Sequence, residues 1–442
     1  MKIRILILSV CILMLSSVLL AQEMVPLSNL KEQKIEFKSV PLSSNRTVPQ
    51  FTFTRTPISL LTSYYDYMIG GYNGMPVQVI PDNVTGGGGY FLTYHARRTA
   101  TGTRRIFYAY LNADMDVIFN IEITNVTNNE GYPTVAVDPV SGKPFYAWHC
   151  NTDADTQLEV QLTSDAFYEG IFGLFNDYIT LIDNPITVSG TTDNEFIWPT
   201  AVIGPSPFAG KRRIYVVAKN SVTHSYGPSE NPRIAWADFN GNDIEMGYPL
   251  LWNYTSIPEL DQWNIDIQWR RPFFAITCDN IGNLYYAGFH FAKEADGSTD
   301  ILEPDLDVFK CDNYGTGTWV HLSKWSNLPS WNPDISPTNN NGYFTDTNNI
   351  PYEDNELFWK VMAANSGHLN AIVDDLGRIH YPALWGLNNA DGYFYPAMQY
   401  PKEVIFDPSQ PTDSQFRINE IWPQKNPANT FDEYYQPWDN EP

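Results

Sequence analysis

The 442-residue chain is poor in cysteine, in basic residues and in long apolar runs, and each shortage closes off a class of protein. Only four cysteines occur, and Cys11 falls inside the apolar start of the chain. That leaves Cys150, Cys278 and Cys311, an odd number, so a disulfide framework does not hold the fold. Cys278 and Cys311 share one repeat and are candidates to pair. Lys and Arg number 27 against 50 Asp and Glu, a formal net charge of −23 that becomes −25 without Lys2 and Arg4. A surface this acidic repels phosphate backbones and anionic membranes, which excludes nucleic acid as a partner. One apolar run exists, Ile5 to Leu20, preceded by Lys2 and Arg4 and followed by Ala21-Gln22. It reads as a secretory signal peptide over 1–21, which makes the chain secreted or cell-surface, with no membrane insertion of its mature part. Helical periodicity is also scarce; Asn355 to Ala364 is the one short helix expected.

What is abundant is aromatic: 27 Tyr, 24 Phe and 13 Trp, with Gly and Pro scattered along the chain. That composition favours an all-β protein with many turns. Residues 22–50 are polar and irregular, and from Phe51 to Pro442 a hairpin pattern recurs. Its clearest copy is Tyr132 to His149, an apolar alternating run to Asp138, a Pro/Ser/Gly turn, and an aromatic alternating run. The second strand of the unit aligns without gaps at five places, ending at His95, His149, Lys219, His290 and Trp385. The separations are 54, 70, 71 and 95 residues, which reads as loop insertion between constant strands. A third and a fourth alternating strand follow each copy. Four antiparallel strands per unit, repeated radially, make a β-propeller blade. Mature length over spacing gives about six blades, with five to seven open, the sixth assembled from the N-terminal strand and the tail around Phe416 to Trp422.

The turns Asp279-Asn280-Ile281-Gly282-Asn283-Leu284-Tyr285-Tyr286 and Asp374-Asp375-Leu376-Gly377-Arg378-Ile379-His380-Tyr381 resemble the repeat of NHL-type and BNR-type propellers. Together with the signal peptide they also resemble cell-surface propeller proteins of Bacteroidota-like bacteria. In NHL-like propellers the first strand of each blade lines the channel. By that resemblance His95, His149, Lys219, His290 and Trp385 share one rim with Tyr132, Trp198 and the pair Arg270-Arg271, which precede first strands.

Three chemistries are conceivable at that rim. Histidines on different blades stand about 10 Å apart, too far to share one zinc ion, so each is expected to cap its strand by bonding into the neighbouring blade. Acidic loops carrying Asp153 and Asp155, Asp296 and Asp300, and Asp391 offer oxygen ligands that calcium can use, although none has the full calcium-loop pattern. The recurring pairs Arg97-Arg98, Arg104-Arg105, Arg212-Arg213 and Arg270-Arg271 fit either carboxylate-bearing glycans or inter-blade ion pairs. The leading expectation is a binding module for glycan or protein that needs no cofactor. The alternatives are a propeller enzyme on acidic polysaccharide, of the lyase or glycoside hydrolase class, with His149 and Arg270 or Arg271 as catalytic candidates, and a structural envelope component.

Overall fold

In the computed structural model, residues 56–64, 74–124, 128–151, 158–168, 170–171, 173–183, 196–220, 231–262, 273–290, 305–325, 353–354, 357–363, 370–389 and 394–420 are described. The chain divides into Met1–Pro57, of which only Thr56 and Pro57 are described, and Ile58–Pro442, which carries all the sheets.

Alternating apolar runs pair with their sequence neighbours throughout, because short turns leave the antiparallel hairpin as the nearest way to satisfy each strand's backbone. The first sheet comprises β1 (Val77–Val79), β2 (Tyr90–Ala96), β3 (Arg105–Leu111) and β4 (Val117–Glu122). The second comprises β5 (Glu130–Val137), β6 (Pro144–Cys150), β7 (Glu159–Ser164) and β8 (Ile179–Ile182). The third holds β9 (Phe196–Pro205), β10 (Arg212–Asn220), β11 (Pro232–Phe239) and β12 (Asn253–Thr255), and the fourth β13 (Phe273–Cys278), β14 (Leu284–His290), β15 (Asp305–Cys311) and β16 (Trp319–Trp325). The fifth is six-stranded: β17 (Glu353–Asp354), β18 (Leu357–Ala363), β19 (Ile372–Val373), β20 (Ile379–Asn389), β21 (Phe394–Phe406) and β22 (Phe416–Glu420). There β18 and β19 both pair with β20, at opposite ends, and share the inner position.

This is a β-propeller. Its apolar cores lie between consecutive blades, as where Phe91 and Tyr108 of the first blade pack with Tyr146 and Trp148 of the second. Ala147 and Leu162 of the second pack with Val216 and Ala235 of the third, and Tyr215 of the third with Tyr286 and Phe309 of the fourth. Trp325 stacks on Phe416 at 5.1 Å between fourth and fifth blades. The fifth blade returns to the first through Asn370, whose Oδ1 accepts from the Met75 N–H at 2.9 Å.

Five sheets therefore complete the ring among the described residues, within the five to seven left open and one below the central expectation. The tail does not build a sixth blade: β22 pairs with β21 as the outer strand of the fifth. The expected helix at Asn355 to Ala364 is also corrected. Leu357–Ala363 is strand β18, because the exposed edge of β20 from Trp385 to Asn389 supplies a ladder that a short isolated helix cannot match. Nor do Cys278 and Cys311 pair; both are free. They flank Leu284 on either side of β14, and two strand spacings, about 9.6 Å, exceed the reach of a disulfide.

One local feature recurs near the start of the first three inner strands. Met75, Tyr132 and Trp198 have φ of 50°, 51° and 56°, each just before a proline. A large side chain in the left-handed region costs about 1–3 kcal/mol and persists only where surroundings fix it. Here a neighbouring blade does so.

Candidate functional site

Each second strand runs toward the rim, and there the structure gathers His95, Tyr132, His149 and Trp198. Tyr132 donates its backbone N–H to His95 Nδ1 at 2.9 Å, and Trp198 donates its own to His149 Nδ1 at 3.4 Å. The Tyr132 ring lies 5.0 Å from each imidazole, with Trp198 edge-on at 6.4 Å. Arg104 adds its guanidinium 5.9 Å above the Tyr132 ring and donates to the Glu130 carbonyl. Gly131 is needed at this point, since a Cβ there would sit 2.8 Å from both Arg104 Nη2 and His149 Nε2.

The imidazoles thus hold the strained residues of the next blade. His95 is 0% and His149 2% exposed, and Asn370 plays the same part for Met75. For His95 and His149 this is blade-to-blade bonding of the kind expected of the rim histidines. Lys219 is also buried, at the end of β10. His290 ends β14 and Trp385 lies within β20, placed by backbone position alone. Arg270, Arg271, Asp153, Asp155, Asp296, Asp300 and Asp391 lie outside the described residues. Among the described residues no three His, Cys, Asp or Glu side chains are grouped so as to hold a metal ion.

Sequence reasoning missed Glu130. Fully buried, it accepts at Oε2 from Thr124 Oγ1 at 2.5 Å and from the Ile106 N–H at 3.2 Å, tying the second blade to the first. Burial pushes its carboxyl above the ordinary range, against the opposing pull of those hydrogen bonds and of Arg105.

The arginine pairs divide by strand alternation. Neighbours on β10 point to opposite faces, so Arg212 reaches back to Asp138 of the second blade, with Nε to Oδ1 at 2.6 Å and Nη2 to Oδ2. Arg213 instead grips Asp238 of its own blade, Nε to Oδ1 at 2.9 Å and Nη2 to Oδ2 at 2.6 Å. Its Nη1 donates to the Tyr314 carbonyl of the fourth blade at 2.7 Å, and its guanidinium lies 3.7 Å from the Trp236 ring centroid.

Arg213 and Trp236 form part of the wall of a cavity of about 670 Å³ at the end of the propeller opposite the rim. Three turns build it: the β9–β10 turn with Phe208 and Lys211, the β11–β12 connection from Asp243 to Asn253, and the β15–β16 turn with Asn313 and Thr316. The second connection is shaped by a short helix, α1 (Gly241–Glu245), capped reciprocally by Asn240 and Asp243. Phe208, Tyr248 and Leu251 are 59%, 51% and 85% exposed. Large apolar side chains left in water around a concave, partly polar wall are the usual mark of a ligand site. The sequence signal was present in the Asn-Gly-Asn turn at 240–242 and in the apolar Tyr248 to Trp252, but its residues span more than a hundred positions.

No family model matches the chain, and no curated protein matches it. Among solved structures it is similar to a thermostable family-43 glycoside hydrolase, 14% identical over 82% of this chain and 99% of that one, TM-score 0.38. It is also similar to an inulosucrase from Halalkalicoccus jeotgali, at 13% identity over 84% and 92% with TM-score 0.39, and to a Hadza microbial sialidase, at 11% over 79% and 66% with TM-score 0.32. Likeness at this level concerns chain arrangement and carries no activity across.

Proposed function

We propose that the protein is a secreted or cell-surface β-propeller that binds carbohydrate in the cavity framed by Phe208, Trp236 and Tyr248. The observation that carries this reading is the cavity itself, where exposed aromatic rings stand beside amide, carboxylate and ammonium groups. Rings stack on the C–H faces of sugars, and the polar groups meet hydroxyls. The rim supports a catalytic reading less well. A histidine acting as proton acceptor must reach substrate, whereas His149 is buried and its Nδ1 takes the Trp198 N–H. The segment 1–21, outside the described residues, supports export, and no helix among the described residues is long and apolar enough to cross a membrane.

The test is calorimetric titration of the mature chain with a panel of oligosaccharides, with turnover followed in the same samples. Binding without product, weakened about tenfold in both Phe208→Ala and Tyr248→Ala, supports the reading, a tenfold change being about 1.4 kcal/mol. Binding untouched by both variants, or product formation abolished by His149→Ala in a folded protein, overturns it.

A further inference from the structure

Resting on the reading of the cavity as a carbohydrate site, we infer that its ligand is an uncharged, hydroxyl-rich oligosaccharide and not a uronate or other acidic glycan. The argument follows from which polar groups of the wall are already engaged. Arginine is the side chain best matched to a carboxylate, and Arg213 already has its charge paired: Nε and Nη2 donate to Asp238 and Nη1 to the Tyr314 carbonyl. Both oxygens of Asp238 are engaged as well, Oδ1 also accepting from Ser206 Oγ at 2.7 Å.

What remains open includes both acceptors and donors. Asp243 uses Oδ2 for the Asn240 N–H at 2.9 Å, leaving Oδ1 without a hydrogen bond among the described residues. Asn253 turns its amide nitrogen to the Leu251 carbonyl at 3.3 Å, which leaves its Oδ1 and one N–H open among the described residues. In Asn313 the orientation is fixed by Thr316, whose hydroxyl donates to the Asn313 carbonyl at 2.7 Å and therefore accepts from Asn313 Nδ2 at 2.9 Å. Asn313 Oδ1 is again left open. The open donors are the second N–H of the Asn253 and Asn313 amides and the Lys211 ammonium, which lies 3.6 Å from Asp243 Oδ2 and so beyond hydrogen-bond distance of it.

Open oxygens beside open N–H groups call for a ligand that both donates and accepts. Sugar hydroxyls donate as well as accept, whereas an ionised carboxylate only accepts. The Lys211–Asp243 pair suits adjacent hydroxyls, one accepting from the ammonium and one donating to the carboxylate. Charge points the same way. The wall carries two cations, Lys211 and Arg213, and two carboxylates, Asp238 and Asp243, in a chain of net charge −23 whose field repels polyanions.

The experiment titrates the mature chain with cellohexaose, xylohexaose, mannohexaose and laminarihexaose, and separately with hexagalacturonate, each at 20 and 500 mM NaCl. Binding of at least one neutral hexasaccharide, changing less than about twofold with salt, and at least about tenfold weaker binding of hexagalacturonate are expected, since screening acts only on charge. Binding of hexagalacturonate in preference, lost at high salt and in Lys211→Met, overturns the inference while leaving the cavity a carbohydrate site. Binding of neither class overturns the carbohydrate reading itself, and the inference with it.

Discussion

The two ends of the propeller both set Tyr, Trp and Arg side chains together and differ in what the polar groups around them are left to do. At the rim, His95 and His149 sit beside Tyr132, Trp198 and Arg104, an assembly with the composition of an active site. Both imidazoles accept the N–H of a residue in left-handed backbone, and the histidines are buried between blades. At the opposite end, Trp236 and Arg213 belong to a wall whose other members, Lys211, Asp243 and Asn253, keep hydrogen-bonding capacity in hand beside exposed rings. Residue identity therefore separates structure from function less well than the count of engaged donors and acceptors does.

The largest expected effect lies in the clamp between the second and third blades. Asp138→Ala leaves the Arg212 guanidinium buried and uncompensated, and should lower unfolding free energy by about 3–5 kcal/mol in urea titrations. Tyr248→Ala, at the open end, should cost less than about 0.5 kcal/mol. Equal losses would erase the distinction between the ends. Next, His95→Ala and His149→Ala each leave an inter-blade backbone N–H, partly buried at Tyr132 and buried at Trp198, without its acceptor, for about 1–3 kcal/mol of stability, with sugar affinity unchanged. Sugar binding lost in a folded His149→Ala protein would move the site to the rim.

A smaller effect concerns pH. His321 contacts Glu259 at 2.9 Å and buried Asp307 at 2.7 Å and stacks on Phe309. Burial works against its charge, but Asp307 and Glu259 outweigh that and raise its pKa above the ordinary value. A raised histidine pKa stabilises the fold fully below the unfolded value of about 6.5, and that contribution is lost as pH rises through the folded value. Stability measured from pH 6 to 9 should therefore decline more in the parent than in His321→Gln, and parallel profiles would remove His321 from the account of pH dependence.

Much of the scaffold was legible because alternation and turn chemistry are local. The second strands at Phe91 to His95 and Phe145 to His149 are where their patterns put them, and Asp279 and Asp374 hold their turns by accepting backbone N–H groups two and four residues on. Blade number was not legible, since dividing length by spacing cannot separate a long loop from an extra blade; closure is seen in a contact across 295 residues, Met75 to Asn370. The strand at Leu357–Ala363 was hidden for a related reason, its partner Trp385–Asn389 being distant in sequence. Arg212 and Arg213 looked like one motif, although strand alternation sends them to different blades' acids. The cavity was least legible, because its wall joins turns from two blades whose proximity exists only in the folded ring.

The most direct measurement is hydrogen–deuterium exchange of the mature chain with and without a binding hexasaccharide. Slower exchange in 206–213 and 240–253, with 95–105 and 128–132 unchanged, is the expected result. Protection confined to 95–105 and 128–132 would contradict a site at the cavity end and return function to the rim.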